Sequence, residues 1–556
     1  MKRFPTDDTI GNLFKRFTQG RVVRLPAAAR RSVYCAGKEE EAQSGGVSMS
    51  TKFWCVRMPL LLISSLLSFS TGGWAVPRQE ATAQAARPAE AAQQRIREFV
   101  EVFNSDDVSQ LRQYVTKNFA PTFLEAIPLE EHIKILSGGY QQSGGYDLQR
   151  TVPHLKNEAM ALARARKDKA WVRIVLVVEG EPPYRIASIG IMPSGPLLPE
   201  VPSGLLTDTQ LVEHLKNYLE QASAVEQFSG AVLIAKDGQP LFKAAYGLAD
   251  RNFNVPNRVD TKFNLGSMNK MFTAVAIAQL GEKGKLSFDD PISGYLTGWL
   301  AEDITQKIKI YHLLTHTSGL GSYFNEKFMK SSRELYRQVD DYKPLVADEK
   351  LAFEPGTKWS YSNTGFLLLG AIIEKVSGQS YFDYVRENIY KRAGMPNTDC
   401  YEMDDVVPNL AIGYARPEGK WKNNLFMHVI RGGPAGGGFS TVDDLLNFDI
   451  ALRDHKLLSP EYTKLMLTAK PERNSPQYGY GFQVEDNPRV VGHSGGFPGI
   501  SSNLSMFLDS GYTLAVLSNQ DAGSMDIVEL FKGMLQTRPQ QQPMGETPEK
   551  DIPPPR

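Results

Sequence analysis

A serine and a lysine open the otherwise apolar stretch FNLGSMNKMFTAVAIAQL at residues 263–280. A serine hydroxyl is a poor nucleophile until a neighbour takes its proton. Positions i and i+3 share a helix face, so Lys270 can point at Ser267 Oγ. Burial in an apolar helix disfavours an ammonium, which leaves a lysine able to act as a base. A helix N-terminus also favours a developing oxyanion nearby. Taken alone, the pattern has a plainer reading. Serine is a common helix cap, and S-x-x-K should occur roughly twice by chance in a chain this long. Three further stretches carry polar groups at suggestive places. Tyr361-Ser362-Asn363 precedes an apolar helix, where Tyr361 could be a core ring and Asn363 a cap. His493-Ser494-Gly495-Gly496 lies between strand-like runs, where His493 could be a structural strand histidine. RGGPAGGGF, at 431–439, precedes a helix; it lacks the G-K-[ST] ending of a phosphate loop and reads as a cleft-lining loop.

The elements that must position these residues follow from periodicity. Met271, Phe272, Val275, Ala276 and Leu280 recur at helical spacing. A helix over residues 211–222 opens a unit spanning 205–535. Next come two alternating strands in FSGAVLIAKDGQPLFKAAYG around Asp237 and Gly238, a strong hairpin signal. The unit closes with a second hairpin in SSNLSMFLDSGYTLAVLSN and the helix MDIVELFKGMLQ. An antiparallel sheet built from both ends of a domain, with helices inserted between, is an α/β sandwich. A smaller α+β unit precedes it over 92–198. It reads as helices, then strands in EAMALARARKDKAWVRIVLVVEG with a turn near residues 167–169, then YRIASIGIMPS. The Pro/Gly-rich residues 193–204 separate the two units. In pattern only, the smaller unit resembles the cone-shaped domains of the nuclear transport factor family.

S-x-x-K, then Y-x-N, then a basic residue-x-G on a late strand, in that order, resembles the serine β-lactamase and penicillin-binding-protein superfamily. The likeness is to class C β-lactamases and their hydrolase relatives. It covers about 330 residues, and FEPGTKWSYSNTGFLLLG, LLTHTSGL and AGGGFSTVDDLLNF read like that group. The resemblance implies a β-lactamase-like fold and an acyl-enzyme on Ser267, with Lys270 as base and Tyr361 as second proton handler. It also implies that Asn363, His493 and Gly495 meet the substrate, and that the backbone N–H groups of Ser267 and Gly496 form an oxyanion hole. One departure matters. Where β-lactamases and transpeptidases of the group usually carry lysine, this chain has His493, mostly neutral at pH 7. Carboxylate capture is thereby weakened, which favours a hydrolase of a peptide, amide or ester over an antibiotic-hydrolysing one. A true β-lactamase or D-alanyl-D-alanine carboxypeptidase is the alternative. A catalytically silent binding protein is the alternative from another class, which intact Ser267, Lys270 and Tyr361 argue against. No cofactor or metal is expected: His312 and His316 have i,i+4 spacing but no glutamate between them.

Bulk properties are compatible with this. Of 556 residues, 42% are hydrophobic and 22% charged, ordinary globular values for more than one domain. Basic and acidic residues number 62 each, so no nucleic-acid or anionic-membrane footprint is expected. Residues 1–48 lack periodicity and read as an unstructured leader or a mis-assigned extension. Residues 49–75 have the basic start, short apolar core and small residues of a secretory signal peptide. The core is too short for a comfortable membrane span, so an exported protein is expected, with a signal anchor as alternative. Residues 76–91 read as an Ala/Pro/Gln-rich linker and 536–556 as a disordered tail. Of three cysteines only Cys400 would survive signal cleavage, so no intrachain disulfide is expected. The partner is a small-molecule or peptide substrate, and the oligomeric state stays open.

Overall fold

In the computed structural model, the described residues are 78–536, apart from 156, 203, 417–418, 487–488 and 522. The expected leader (1–48), signal (49–75) and almost all of the tail (536–556) lie outside them. No helix among the described residues is long and apolar enough to cross a membrane.

The smaller unit begins earlier than its sequence indicates. Helix α1 (Arg78–Phe103) runs through most of the stretch that reads as a linker. Its alanines and glutamines are good helix formers and outweigh the single Pro88. Helices α2 (Val108–Asn118) and α3 (Leu129–Ser143) follow, Asp107 capping α2 through Ser109 and Gln110. Four antiparallel strands come next in chain order: β1 (Tyr146–Pro153), β2 (Glu158–Ala165), β3 (Trp171–Val178) and β4 (Ile186–Pro193).

The larger unit opens with α4 (Asp208–Ala224), held by a capping box between Thr207 and Gln210. Strands β5 (Gly230–Lys236) and β6 (Gln239–Tyr246) form the expected hairpin. Asp237 and Gly238 both have positive φ (50° and 74°), as a type I′ turn requires. The central helix α5 (Asn269–Glu282) comes next, then α6 (Asn363–Ser377) and α7 (Val442–Arg453). The chain returns to the sheet as β7 (Gln483–Asp486), β8 (Arg489–Phe497), β9 (Ile500–Phe507) and β10 (Tyr512–Ser518), and ends in α8 (Met525–Gln536). The six strands are ordered β7-β8-β9-β10-β5-β6, all antiparallel.

This sheet is covered on both faces. Val232 and Ile234 of β5 and Leu514 and Val516 of β10 pack with Leu211, Leu215 and Leu219 of α4 and Phe531 of α8. Ala231, Leu233, Ala515 and Leu517 point the other way, into a core shared with Phe272 of α5 and Phe448 of α7. The result is a three-layer α/β/α sandwich with a β-lactamase-like fold. Strand β5 is accordingly buried along nearly its whole length and lacks the half-exposed alternation its sequence pattern implies.

The smaller unit is fastened to α8. Arg173 of β3, almost wholly buried, donates to Asp526 and lies 3.0 Å from Glu529. Gln227 Nε2 donates to Asp526 at 2.8 Å and to the Leu197 carbonyl at 3.0 Å.

Candidate active site

Ser267 does not cap the helix. It sits in a 3-10 turn (Gly266–Met268) leading into α5, and neither the turn nor the helix has a side-chain cap. Residues three apart eclipse in a 3-10 turn, and Lys270 Nζ lies 3.3 Å from Ser267 Oγ. Residues 269–280 are all buried, so Lys270 is wholly buried within the sandwich while Ser267 stays half-exposed. Nζ also donates to Asn363 Oδ1 at 2.9 Å and to the Ala435 carbonyl at 2.5 Å. The rings of Tyr361 and Phe366 lie 4.8 and 5.5 Å from it.

Asn363 and Tyr361 arrive on the start of α6. The cap that Asn363 was a candidate for is Ser362, whose Oγ accepts from Gly365 N at 2.9 Å. Asn363 thus turns its amide inward, its Nδ2 donating to Ser322 Oγ at 3.1 Å. His316 braces this segment from behind. It sits at φ +61°, its Nδ1 accepts the Ser362 N–H at 3.0 Å, and its ring centroid is 4.3 Å from that of Tyr361. His312 serves its own turn in a similar way. Its Nδ1 accepts from Lys309 N at 3.0 Å, and burial pushes its pKa down to about 4. Since helix Ile310–Leu314 ends before His316, the i,i+4 spacing puts no pair of ligands on one helix face.

Strand β8 forms the opposite wall, and two glycines bring it close. A Cβ on Gly495 would stand 1.9 Å from the Leu265 carbonyl oxygen and 3.0 Å from Ser267 N. Gly266 itself has φ +51°, and a Cβ there would lie 2.9 Å from Gly496 N. Strand β7 pairs with β8 only as far as Gly492. Beyond that point the Ser494 N–H points away from β9 and is taken by Gln483 Oε1 at 3.1 Å. Gly496 lies two residues along and presents its N–H to the same edge, beside the serine turn.

His493 stands one layer back. It is buried, its Nδ1 lies 2.6 Å from the Ser494 carbonyl and its Nε2 2.9 Å from Tyr478 Oη. A carbonyl only accepts, so Nδ1 carries the proton, and in the neutral ring Nε2 accepts from the Tyr478 hydroxyl. The His493 ring centroid is 6.4 Å from that of Tyr361. Histidine at this place is thus built into the wall through Tyr478.

The glycine-rich loop closes the floor. Gly437 N donates to Gly266 O at 3.0 Å and Leu265 N to Gly438 O at 2.7 Å. Asn269 holds the same loop, donating to Gly433 O and accepting from Gly438 N. Cys400 Sγ accepts a bond from Asn269 at 3.4 Å, and burial raises this free thiol to about 12, leaving it inert. Four participants have no motif of their own: the Ala435 carbonyl, Ser322, Tyr478 and His316. In the sequence, only the glycines around Ala435 and the family-like wording around His316 point to their neighbourhoods.

The arrangement has the parts for acyl transfer: a half-exposed hydroxyl, a buried amine against it, a phenol beside the amine, and a glycine strand edge packed against the serine turn. The profile of the family described as Beta-lactamase matches residues 215–537. Penicillin-binding protein 4* of Bacillus subtilis (strain 168) is 32% identical over 330 residues, covering 56% of this chain and 72% of the relative. Esterase EstB of Burkholderia gladioli is 29% identical over 358 residues, covering 56% and 91%. The crystal structure of a penicillin binding protein from Bacillus halodurans superposes with a TM-score of 0.52 at 34% identity, covering 57% of this chain and 97% of that one. On its fold, its matched residues and these relatives, the chain belongs to the Beta-lactamase family and is a β-lactamase-related serine hydrolase.

Proposed function

We infer that this protein is an exported hydrolase that cleaves a peptide, amide or ester through an acyl-enzyme on Ser267. The observation that carries the reading is the buried Lys270 Nζ, held by Asn363 and Ala435 and set 3.3 Å from Ser267 Oγ. In the reaction, Oγ attacks the scissile carbonyl while its proton passes into the Lys270–Tyr361 pair. The N–H groups of Ser267 and Gly496 hold the oxygen that becomes negative. Tyr361 returns the proton to the departing amine or alcohol, and water, deprotonated by the same pair, then cleaves the acyl-serine. Asn363 orients Lys270 and offers its amide to the substrate. Export rests on the signal-like residues 49–75.

Action on penicillins or D-alanyl peptides is the second reading, favoured by the names of two relatives. Against it stands His493, whose contacts with Tyr478 and Ser494 supply no fixed cation. One set of measurements tests both readings. A fluorophosphonate should label Ser267, as read by peptide mass spectrometry, and Ser267→Ala should abolish the adduct. p-Nitrophenyl esters or peptide amides should be turned over faster than a chromogenic cephalosporin. An adduct on another residue defeats the assignment, and rapid cephalosporin cleavage with inert esters puts the second reading first. For export, sequencing of the secreted protein should place the mature N-terminus near Val76; residues 1–48 found on it would refute cleavage there.

A further inference from the structure

Two aromatic side chains stand within two residues of the anchor points of the site. Phe497 follows Gly496 on β8. Phe324 follows Tyr323 and Ser322, and Ser322 Oγ accepts both from Asn363 Nδ2 at 3.1 Å and from Phe324 N at 3.3 Å. The two rings lie 5.9 Å apart, and Phe324 remains 39% exposed. Phe324 meets the buried Phe328 edge-on at 4.9 Å. The Arg333 guanidinium covers Phe328 at 4.0 Å, reaches the Met329 sulfur at 3.8 Å and donates to the Met427 carbonyl at 3.2 Å. Met329 is 66% exposed and Phe426, beside Met427, is 92% exposed. Isolated exposed apolar side chains are ordinary, but a connected row leading out of a catalytic cleft is not. The flanking lysines pair with acids, Lys330 with Glu326 at 2.6 Å and Lys327 with Asp348 at 2.7 Å, and Arg333 donates its N–H groups to the Phe328, Ser331 and Met427 carbonyls. The surface therefore suits an uncharged chain better than an ionic one.

We propose that the substrate carries an apolar acyl chain, aliphatic or aromatic, which leaves the scissile carbonyl across the paired rings of Phe324 and Phe497 and runs along the surface toward Met329 and Phe426. This rests on the acyl-enzyme reading above. Tyr361, which would protonate the leaving group, lies toward His493, four residues before Phe497 on β8, so the pair at the other end flanks the group that stays on the serine. Attack by Ser267 Oγ forms the acyl-serine and releases the alcohol or amine with the proton; the chain stays seated until water releases the acid.

The test uses p-nitrophenyl esters with acetyl, butyryl, octanoyl and dodecanoyl chains on the full protein. In the wild type, kcat/KM should rise by about 10-fold or more from acetyl to octanoyl, the scale expected when several methylenes leave water. Phe324→Ser should flatten that ratio, and Phe324→Leu, still apolar, should keep it. A flat or falling series in the wild type overturns the proposal. So does an equal loss on every ester in Phe324→Ser, which would make Phe324 only a support of its loop. A rise that follows the alcohol portion instead, measured with acetate esters of longer alcohols, overturns the acyl placement. If the acetyl ester turns over and Ser267 is labelled but no slope appears, this proposal alone falls. If no ester reacts and Ser267 stays unlabelled, both readings fall.

Discussion

On the proposed mechanism Lys270, Ser267 and Tyr361 handle one proton between them, so removing them does not add. Lys270→Ala and Tyr361→Phe should each lower kcat by roughly 10²-fold or more, while the double variant falls far short of the product of the two losses. Steady-state kinetics on one ester, with circular dichroism to verify folding, measures this; multiplicative losses would show two independent roles. The Lys270 variant has a structural side as well. Removing Nζ leaves Asn363 Oδ1 and the Ala435 carbonyl without the amine that bridges them, so part of its loss arises from a loosened loop. Burial raises the neighbouring Tyr323 phenol, and Tyr361 raises it further, so Tyr323 stays a neutral phenol.

Among the elements, β8 and the serine turn fit only because of glycine. A Cβ at Gly495 meets a backbone oxygen at 1.9 Å, where no side chain can swing aside. Gly495→Ala should therefore separate β8 from the turn, cutting activity by roughly 10²-fold or more, with a smaller loss of stability of about 1–3 kcal/mol. A melting curve beside the kinetics distinguishes this from global unfolding, and wild-type kinetics would contradict the close packing. The same elements show what can be read from sequence. Ser267 with Lys270, and Tyr361 with Asn363, lie within one turn of each other, so their partnerships are legible locally. The Ala435 carbonyl and Tyr478 are not: they are brought in from far along the chain by tertiary packing, and a carbonyl has no residue type. Strand β1 is equally hard to read, because Arg150 breaks the alternation of Tyr146, Leu148 and Val152 in YDLQRTVP, where the register is irregular between Leu148 and Arg150. Residues 78–91 look like a linker by composition, yet their alanines suit a helix equally well. Burial of β5 on both faces depends on α4 and α5 together, which no local pattern records.

For the whole molecule, the fastening of the smaller unit is the exposed flank. Burial pushes Glu158 up to about 7, with Glu529 nearby adding to the rise, and Glu529 is itself raised by burial. Burial drives His154, 3.9 Å from Glu158, down to about 4, so between about pH 4 and 7 neither is charged and the contact is no ion pair. A carboxyl whose folded pKa is raised binds its proton more tightly when folded, so its contribution is full below about 4.5 and lost as pH rises through about 7. Glu158→Gln should therefore gain stability relative to wild type between pH 5 and 8, by at most about 3 kcal/mol. Comparing the two melting curves cancels the opposite trend from His154, and a pH-independent difference would refute the shift. A chain beginning at Leu205 should still fold and turn over a small ester, with a lower melting temperature, because every group placed at the site lies beyond residue 260 while Arg173 is lost to Asp526 and Glu529. An insoluble or inactive product would make the smaller unit part of the active body. The pairing of β5 with β10 has a temporal consequence. Gly230 faces Ser518 in the sheet, so the ribosome must deliver nearly the whole domain before the strand between β5 and β9 exists. Until then the hairpin bearing Gly495 and Gly496 has no seat beside Ser267. Closing so long a loop is slow, and a nascent chain stays chemically mute throughout its own synthesis.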